Sequence, residues 1–209
     1  MAQLSEGLVY VDEQLLVLDK PSGLLAVPGR GEDKQDCLSA RAQRLWPDAR
    51  VVHRLDMATS GLFVMARGAA MQRRLSRAFE QREVEKRYVA VVAGTLRGEG
   101  VIELPLAADW PNRPLQKVDF VHGRPSTTRW RALAPEGAGT RIELEPVTGR
   151  SHQLRLHLQA IGHAILGDSL YAPPEVQALA PRLLLHACAL RFAHPGHGEP
   201  LAFDSSAPF

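Results

Sequence analysis

HRLDMATSG, residues 53–61, runs directly into the apolar stretch LFVMA at 62–66, and within it one carboxylate, Asp56, stands among an imidazole, a guanidinium and two hydroxyls. The apolar stretch reads as a short buried strand, so these nine residues form a loop that feeds a core strand. A lone aspartate in such a loop caps a turn as readily as it performs chemistry. Its company elsewhere in the chain decides between the two.

With 209 residues, 45% of them apolar, the chain suffices for a single globular domain over residues 1–209. The opening MAQLSEGLVYVDEQ carries acids and no long apolar run, and no stretch approaches the roughly 18 apolar residues of a membrane span. A cytoplasmic protein with no membrane partner is therefore expected. Cys37 and Cys188 stand far apart without CxxC spacing, which predicts buried free thiols. His152, His157, His163, His186, His194 and His197 match neither HExxH nor a Cys/His finger, so no metal is expected. The TSG at 59–61 lacks the glycine that precedes the serine of a hydrolase elbow.

Net charge is only +2, but it is unevenly spread. Met1 to Lys20 holds four acids and one lysine, whereas Arg67–Arg87 holds seven bases against three acids and Arg113–Arg131 five against one. Clustered arginine is the footprint of a phosphate-bearing partner, or of a solvated helix face in a chain whose 21 arginines outnumber its 4 lysines.

LVYV and LLVL flank Asp12-Glu13-Gln14 as a strand pair, and KPSG at 20–23 is turn chemistry. Residues 37–46 read as a short helix stopped by Pro47. Met71, Leu75, Ala78 and Phe79 recur at helical spacing over 69–83. RYVAVVA at 87–93 has the β-branched, two-sided apolar character of a central strand, and Arg141–Val147 alternates Ile142 and Leu144 inward with Glu143 and Glu145 outward. RLLLHA and LRFAHP read as two further strands. Many strands with few helices between them predict an α+β fold dominated by mixed or antiparallel sheet.

Ser151 is placed to cap a helix that runs to about Ile161, where Gly162 ends it. Leu154, Leu158 and Ile161 then share one face, and His152, Arg155 and Gln159 another. TGRSHQLRLH at 148–157 concentrates two arginines and two histidines at this helix start. That pattern suits phosphate or carboxylate recognition, and equally an ordinary polar surface.

Taken together, these blocks resemble the RluA-family pseudouridine synthases. HRLDMATSG matches the family's catalytic motif and LDKPSGLLAVPG at 18–29 the segment before it. EKRYVAVVAG at 85–94, TGRSHQLRLH, GHAILGDSLYA at 162–172 and RLLLHA at 182–187 match the rest, in order and over nearly the full length. DWPNRPLQKV at 109–118 is narrower and is similar to members that modify both large-subunit ribosomal RNA and tRNA. The resemblance implies the pseudouridine synthase core: a long, mixed, largely antiparallel sheet with flanking helices and loops and a central active-site cleft. Several relatives carry an appended S4-type RNA-binding domain, which this chain is expected to lack, leaving RNA recognition to the catalytic domain of a monomer.

The resemblance further implies a cofactor-free isomerisation in which uridine's N1–C1′ bond breaks, the uracil turns, and a C5–C1′ bond forms. It places the essential aspartate at Asp56, which attacks C1′ or takes a C2′ proton. Desolvation alone would raise that carboxyl's pKa, so a paired arginine is needed. The family's arginine falls on Arg155, with Arg150 as second choice. Tyr88 falls on the tyrosine that stacks on uracil, and Leu185 supplies an apolar wall. Arg54 fills the space left by the extruded base, while Lys86 and His53 belong to the substrate side of the pocket. Arg113 and Lys117 are expected along the RNA path. The expected partners are stem-loops of ribosomal RNA, of tRNA, or both. Two rival readings are a catalytically silent RNA-binding module using the same cleft and an aspartate-nucleophile hydrolase of small molecules, which would not need the arginine clusters.

Overall fold

The computed structural model describes residues 7–209, so Glu6, one of the acids counted near the N-terminus, lies outside the described residues. In chain order the elements are β1 (Leu8–Val11), β2 (Leu15–Lys20), α1 (Leu38–Leu45), β3 (Ala49–Val51), β4 (Ser60–Arg67), α2 (Gly68–Glu80) and β5 (Glu85–Ala93). There follow β6 (Glu99–Glu103), β7 (Leu106–Ala108), β8 (Gln116–Val118), β9 (Thr127–Glu136) and β10 (Gly139–Pro146). The last are α3 (Gln153–Ala160), α4 (Pro174–Gln177), β11 (Leu185–Ala193) and β12 (Pro200–Asp204). The fold is α+β on a mixed, mostly antiparallel sheet, as expected. The chain forms two compact units, one of residues up to Lys86 with Ala187–Pro208 and one of Arg87–His186 with Phe209.

In the first unit, β1 and β2 pair antiparallel around a turn held by Asp12, whose Oδ1 accepts the Gln14 and Leu15 N–H groups at 2.6 and 2.8 Å. β2 and β3 both pair antiparallel with β4, and β11 pairs antiparallel with β12. Burial of LFVMA is complete on both faces, the signature of a strand covered on each side. Leu15, Val17, Leu62, Val64, Leu75, Leu190 and Phe192 form its core, and α2 adds Met71, Ala78 and Phe79 along the apolar stripe read from the sequence. Each such aliphatic side chain contributes roughly 1.5–3 kcal/mol by leaving water.

In the second unit, β5, β10, β9 and β6 follow one another antiparallel. Ile142 and Leu144 are fully buried on β10, as its alternation predicts. β7 and β8 form a separate two-stranded hairpin, and α3 packs against β8, β9 and β10.

Several expectations need correction. Residues 185–193 form one strand, β11, because the two stretches read as separate strands are joined through Cys188 without a turn, and the next strand is β12. Ser151 does not cap α3. The N-cap is His152, held at φ 54, and the Gln153 side chain folds back to accept the Arg150 N–H at 3.0 Å. Nor is α3 a surface helix with one polar face: Gln153 through Leu158 are all buried. Of the two thiols, Cys37 is buried and caps α1 by accepting the Ala40 N–H, while Cys188 is only half-buried.

Candidate active site

The loop bearing Asp56 joins β3 to β4 and is pinned along its length. Lys20, at the end of β2, is fully buried and donates to the Pro21, Leu24 and Met57 carbonyls at 2.8, 2.7 and 3.0 Å. An ammonium has three N–H donors, so this cage satisfies it completely. Ser22 donates to the Ala58 carbonyl at 2.7 Å, and the Gly23 N–H donates to the Met57 carbonyl at 2.9 Å. Thus the KPSG turn clamps the two residues after Asp56. The loop closes on itself where the Thr59 N–H donates to the Asp56 carbonyl at 3.1 Å. Leu55 points into the core at 7% exposure, while Asp56 is half-buried and Arg54 exposed. At the loop's end Gly61 has φ 110, and a Cβ there would lie 2.3 Å from the Ala187 carbonyl oxygen, so only glycine fits.

His53 anchors the other end. Its Nε2 accepts the Val64 N–H at 3.0 Å, and its ring stacks on Phe79 with centroids 4.5 Å apart. Burial, with the positive charge of Lys86 adding to it, pushes its pKa down to about 3, so the imidazole is neutral. Lys86 itself is pushed below the ordinary lysine range, first by burial and then by Arg82. The first unit therefore brings together His53, Arg54, Asp56 and Lys86 on or beside one rigid loop.

The remaining expected residues belong to the second unit. Tyr88, half-buried on β5, pairs with Leu144 of β10, and Leu185 is 3% exposed at the start of β11. Arg150 is exposed just before α3. Arg155 is 3% exposed, and its Nε and Nη2 donate to the Asp168 carboxylate at 2.8 and 2.5 Å. The same carboxylate accepts the Leu170 and Tyr171 N–H groups at 2.9 and 3.2 Å. Two parallel bonds set the plane of the guanidinium fork. The Tyr171 ring lies 5.3 Å from the Arg155 guanidinium carbon, and its hydroxyl accepts the Gln116 N–H at 2.8 Å and bonds His152 Nδ1 at 2.7 Å. The start of β8 is thereby tied to the residues that hold Arg155.

Asp168 and Tyr171 were not singled out from the sequence. Their signal was the GDSLY of residues 167–171, which spaces a carboxylate and a phenol three residues apart in a loop. His157, weighed in the sequence only as a possible metal ligand, is buried: its Nδ1 bonds the Thr128 hydroxyl at 2.9 Å, and burial lowers its pKa. Among the described residues there is no group of three or more His, Cys, Asp or Glu side chains that could hold a metal ion. No helix of those residues is long and apolar enough to cross a membrane.

A rigid loop presenting a carboxylate beside arginine in one unit, and a clamped, buried arginine and a half-buried tyrosine in the other, are groups suited to acid–base or nucleophilic chemistry. Comparison with known proteins gives the class. Residues 14–160 match the family described as RNA pseudouridylate synthase, and the chain belongs to that family, whose members are isomerases. The chain is 50% identical over 204 residues to the dual-specificity RNA pseudouridine synthase RluA of Escherichia coli strain K12, covering 97% of this chain and 93% of that protein. It is 49% identical over 203 residues to the protein of the same name from Yersinia pestis, covering 96% and 98%. Among solved structures it is similar to human RNA pseudouridylate synthase domain containing 1, with a TM-score of 0.79 and 27% identity over 97% of this chain and 84% of that one.

Proposed function

We propose that the protein converts specific uridines to pseudouridine in stem-loops of large-subunit ribosomal RNA, of the tRNA anticodon arm, or of both, acting as a monomer without metal or cofactor. The dual specificity in the name of its relatives supports two RNA classes. The observation that carries the mechanism is the clamped HRLD loop, which holds Asp56 at a fixed position at no ordering cost during the reaction. Asp56 is the catalytic carboxylate: it attacks C1′ or removes the C2′ proton as N1–C1′ breaks. After C5–C1′ forms, the C5 proton leaves and N1 gains one, so the product is an isomer. Arg155 keeps that carboxylate ionised, its fork oriented by Asp168. Tyr88 stacks on the uracil, Leu185 walls it, and exposed Arg54 occupies the gap left by the extruded base, offsetting a few kcal/mol of unstacking. Lys86 sits on the substrate side. Arg113 and Lys117 meet phosphates.

The test is Asp56→Asn, nearly isosteric and without charge. Single-turnover assays on a stem-loop should show pseudouridine formation reduced by at least about a thousandfold, with thermal melting and RNA affinity unchanged. A normally melting variant that still isomerises uridine near the wild-type rate would make Asp56 a turn residue and overturn the mechanism. Arg155→Ala is a poorer probe, because it also leaves Asp168 as a buried, unpaired carboxylate.

A further inference from the structure

The excursion around β7 and β8 displays apolar surface that the second unit does not use for packing. Trp110 is 68% exposed, Phe120 77% and Val121 80%. Large aromatic side chains seldom stay that wet without a partner. Neither aromatic sits on a loose segment. Trp110 opens a short 3-10 turn closed by the Asp109 N–H to the Leu115 carbonyl and the Leu115 N–H to the Asn112 carbonyl, both at 3.0 Å. The Arg113 guanidinium carbon stands 3.4 Å above the Trp110 ring, covering one face and fixing the indole. At the far end of β8, Asp119 Oδ1 accepts the Val121 and His122 N–H groups at 3.0 and 2.9 Å. The Gly123 N–H donates to the Asp119 carbonyl at 2.8 Å, and a Cβ on Gly123 would come within 2.2 Å of that oxygen. Phe120 is therefore carried on a tight turn that glycine makes possible.

The charge around these rings selects the occupant. Arg113, Lys117 and Arg124 accompany them, while the nearby carboxylates are engaged locally, Asp109 by Asn112 and Asp119 by its own turn and Lys117. An aromatic surface interleaved with cations fits the π-faces and phosphates of single-stranded nucleic acid. Trp110 lies in the turn before β8 and Phe120 in the turn after it, so the strand separates the two rings along the chain.

We infer that Trp110, backed by Arg113, and Phe120 form a stacking platform for unpaired bases of the RNA around the target uridine. The inference deepens the proposed function and rests on it for the identity of the RNA.

The test measures binding of the full chain to a single-stranded oligoadenylate and to a blunt duplex of equal length, over a range of salt. Trp110→Ala and Phe120→Ala should each weaken single-strand binding about tenfold, with the slope of log K against log salt unchanged and duplex binding unaffected. Trp110→Phe should retain most of the affinity. Alanine variants that bind the single strand as wild type does would overturn the platform. So would a loss accompanied by a shallower salt slope, which would assign the effect to phosphate binding, or a wild-type dimer that Trp110→Ala dissolves, which would make the patch a self-association surface. Oligoadenylate contains no uridine, so a wild type without isomerase activity but with the expected binding pattern would refute the enzymatic reading alone.

Discussion

Beside Asp56, the imidazole of His53 is a neutral acceptor for the Val64 N–H, stacked on Phe79. The resemblance puts it on the substrate side, and its bond and stack also fasten the loop to β4. Its folded pKa of about 3 lies below the ordinary value of 6.5, so between those values the unfolded chain binds a proton that the folded chain refuses. Stability due to this group is therefore complete above pH 6.5 and declines as pH falls, with a slope of about 1.4 kcal/mol per pH unit. His157, also depressed, adds to the same trend. Replacing His53 by Gln keeps an acceptor and removes the titration. Urea denaturation from about pH 6.5 to about pH 4.5 should show a wild-type slope steeper than that of the variant by about one proton. Equal slopes would mean that the ring is solvated.

At the scale of elements, α3 and the loop after it act as one support. Asp168 clamps Arg155, accepts two backbone N–H groups and so fixes Tyr171, whose hydroxyl holds the first residue of β8. A charge pair this deeply buried contributes little net stability, yet removing one of its charges is costly because two short charge-assisted hydrogen bonds are weakened in a poorly solvated interior. Asp168→Asn should lower the unfolding free energy by about 3 kcal/mol in urea titrations and reduce pseudouridine formation well beyond that expected from the folded fraction. A variant as stable and active as wild type would show that Arg155 finds adequate compensation elsewhere.

Across the whole molecule, folding thins the basic clusters read from the sequence. Arg129 pairs with Glu145 across β9 and β10, Arg131 and Arg87 with Glu143, and Arg67 with Asp48. Such exposed pairs are worth at most about 1 kcal/mol each, but their arginines offer less net charge to a phosphate. Arg113→Gln should therefore flatten the salt dependence of RNA affinity by about one unit per phosphate that is no longer neutralised, while Lys117→Gln, whose ammonium already meets Asp119 at 3.3 Å, should flatten it less and Arg131→Gln should leave it unchanged. The slope of log K against log salt decides. A flatter slope for Arg131→Gln would widen the RNA path onto β9.

What the sequence determined by itself was whatever depends on near neighbours. The alternation of Ile142 and Leu144, the apolar stripe of α2 and the unbroken apolar LFVMA each follow from local periodicity, and all three elements formed as read. HRLDMATSG singles out Asp56 as a candidate because a contiguous motif carries its own context. Only tertiary structure decided how polar groups are satisfied, since their partners lie far off in the chain. Lys20 reads only as part of a turn until Met57, 37 positions later, completes its cage. Arg155 reads as half of an exposed polar face until Asp168 and burial on all sides turn it into a clamped ion pair. Helical spacing says which residues share a face, but not what covers that face, and it is the cover that sets the charge, orientation and cost of the groups beneath it.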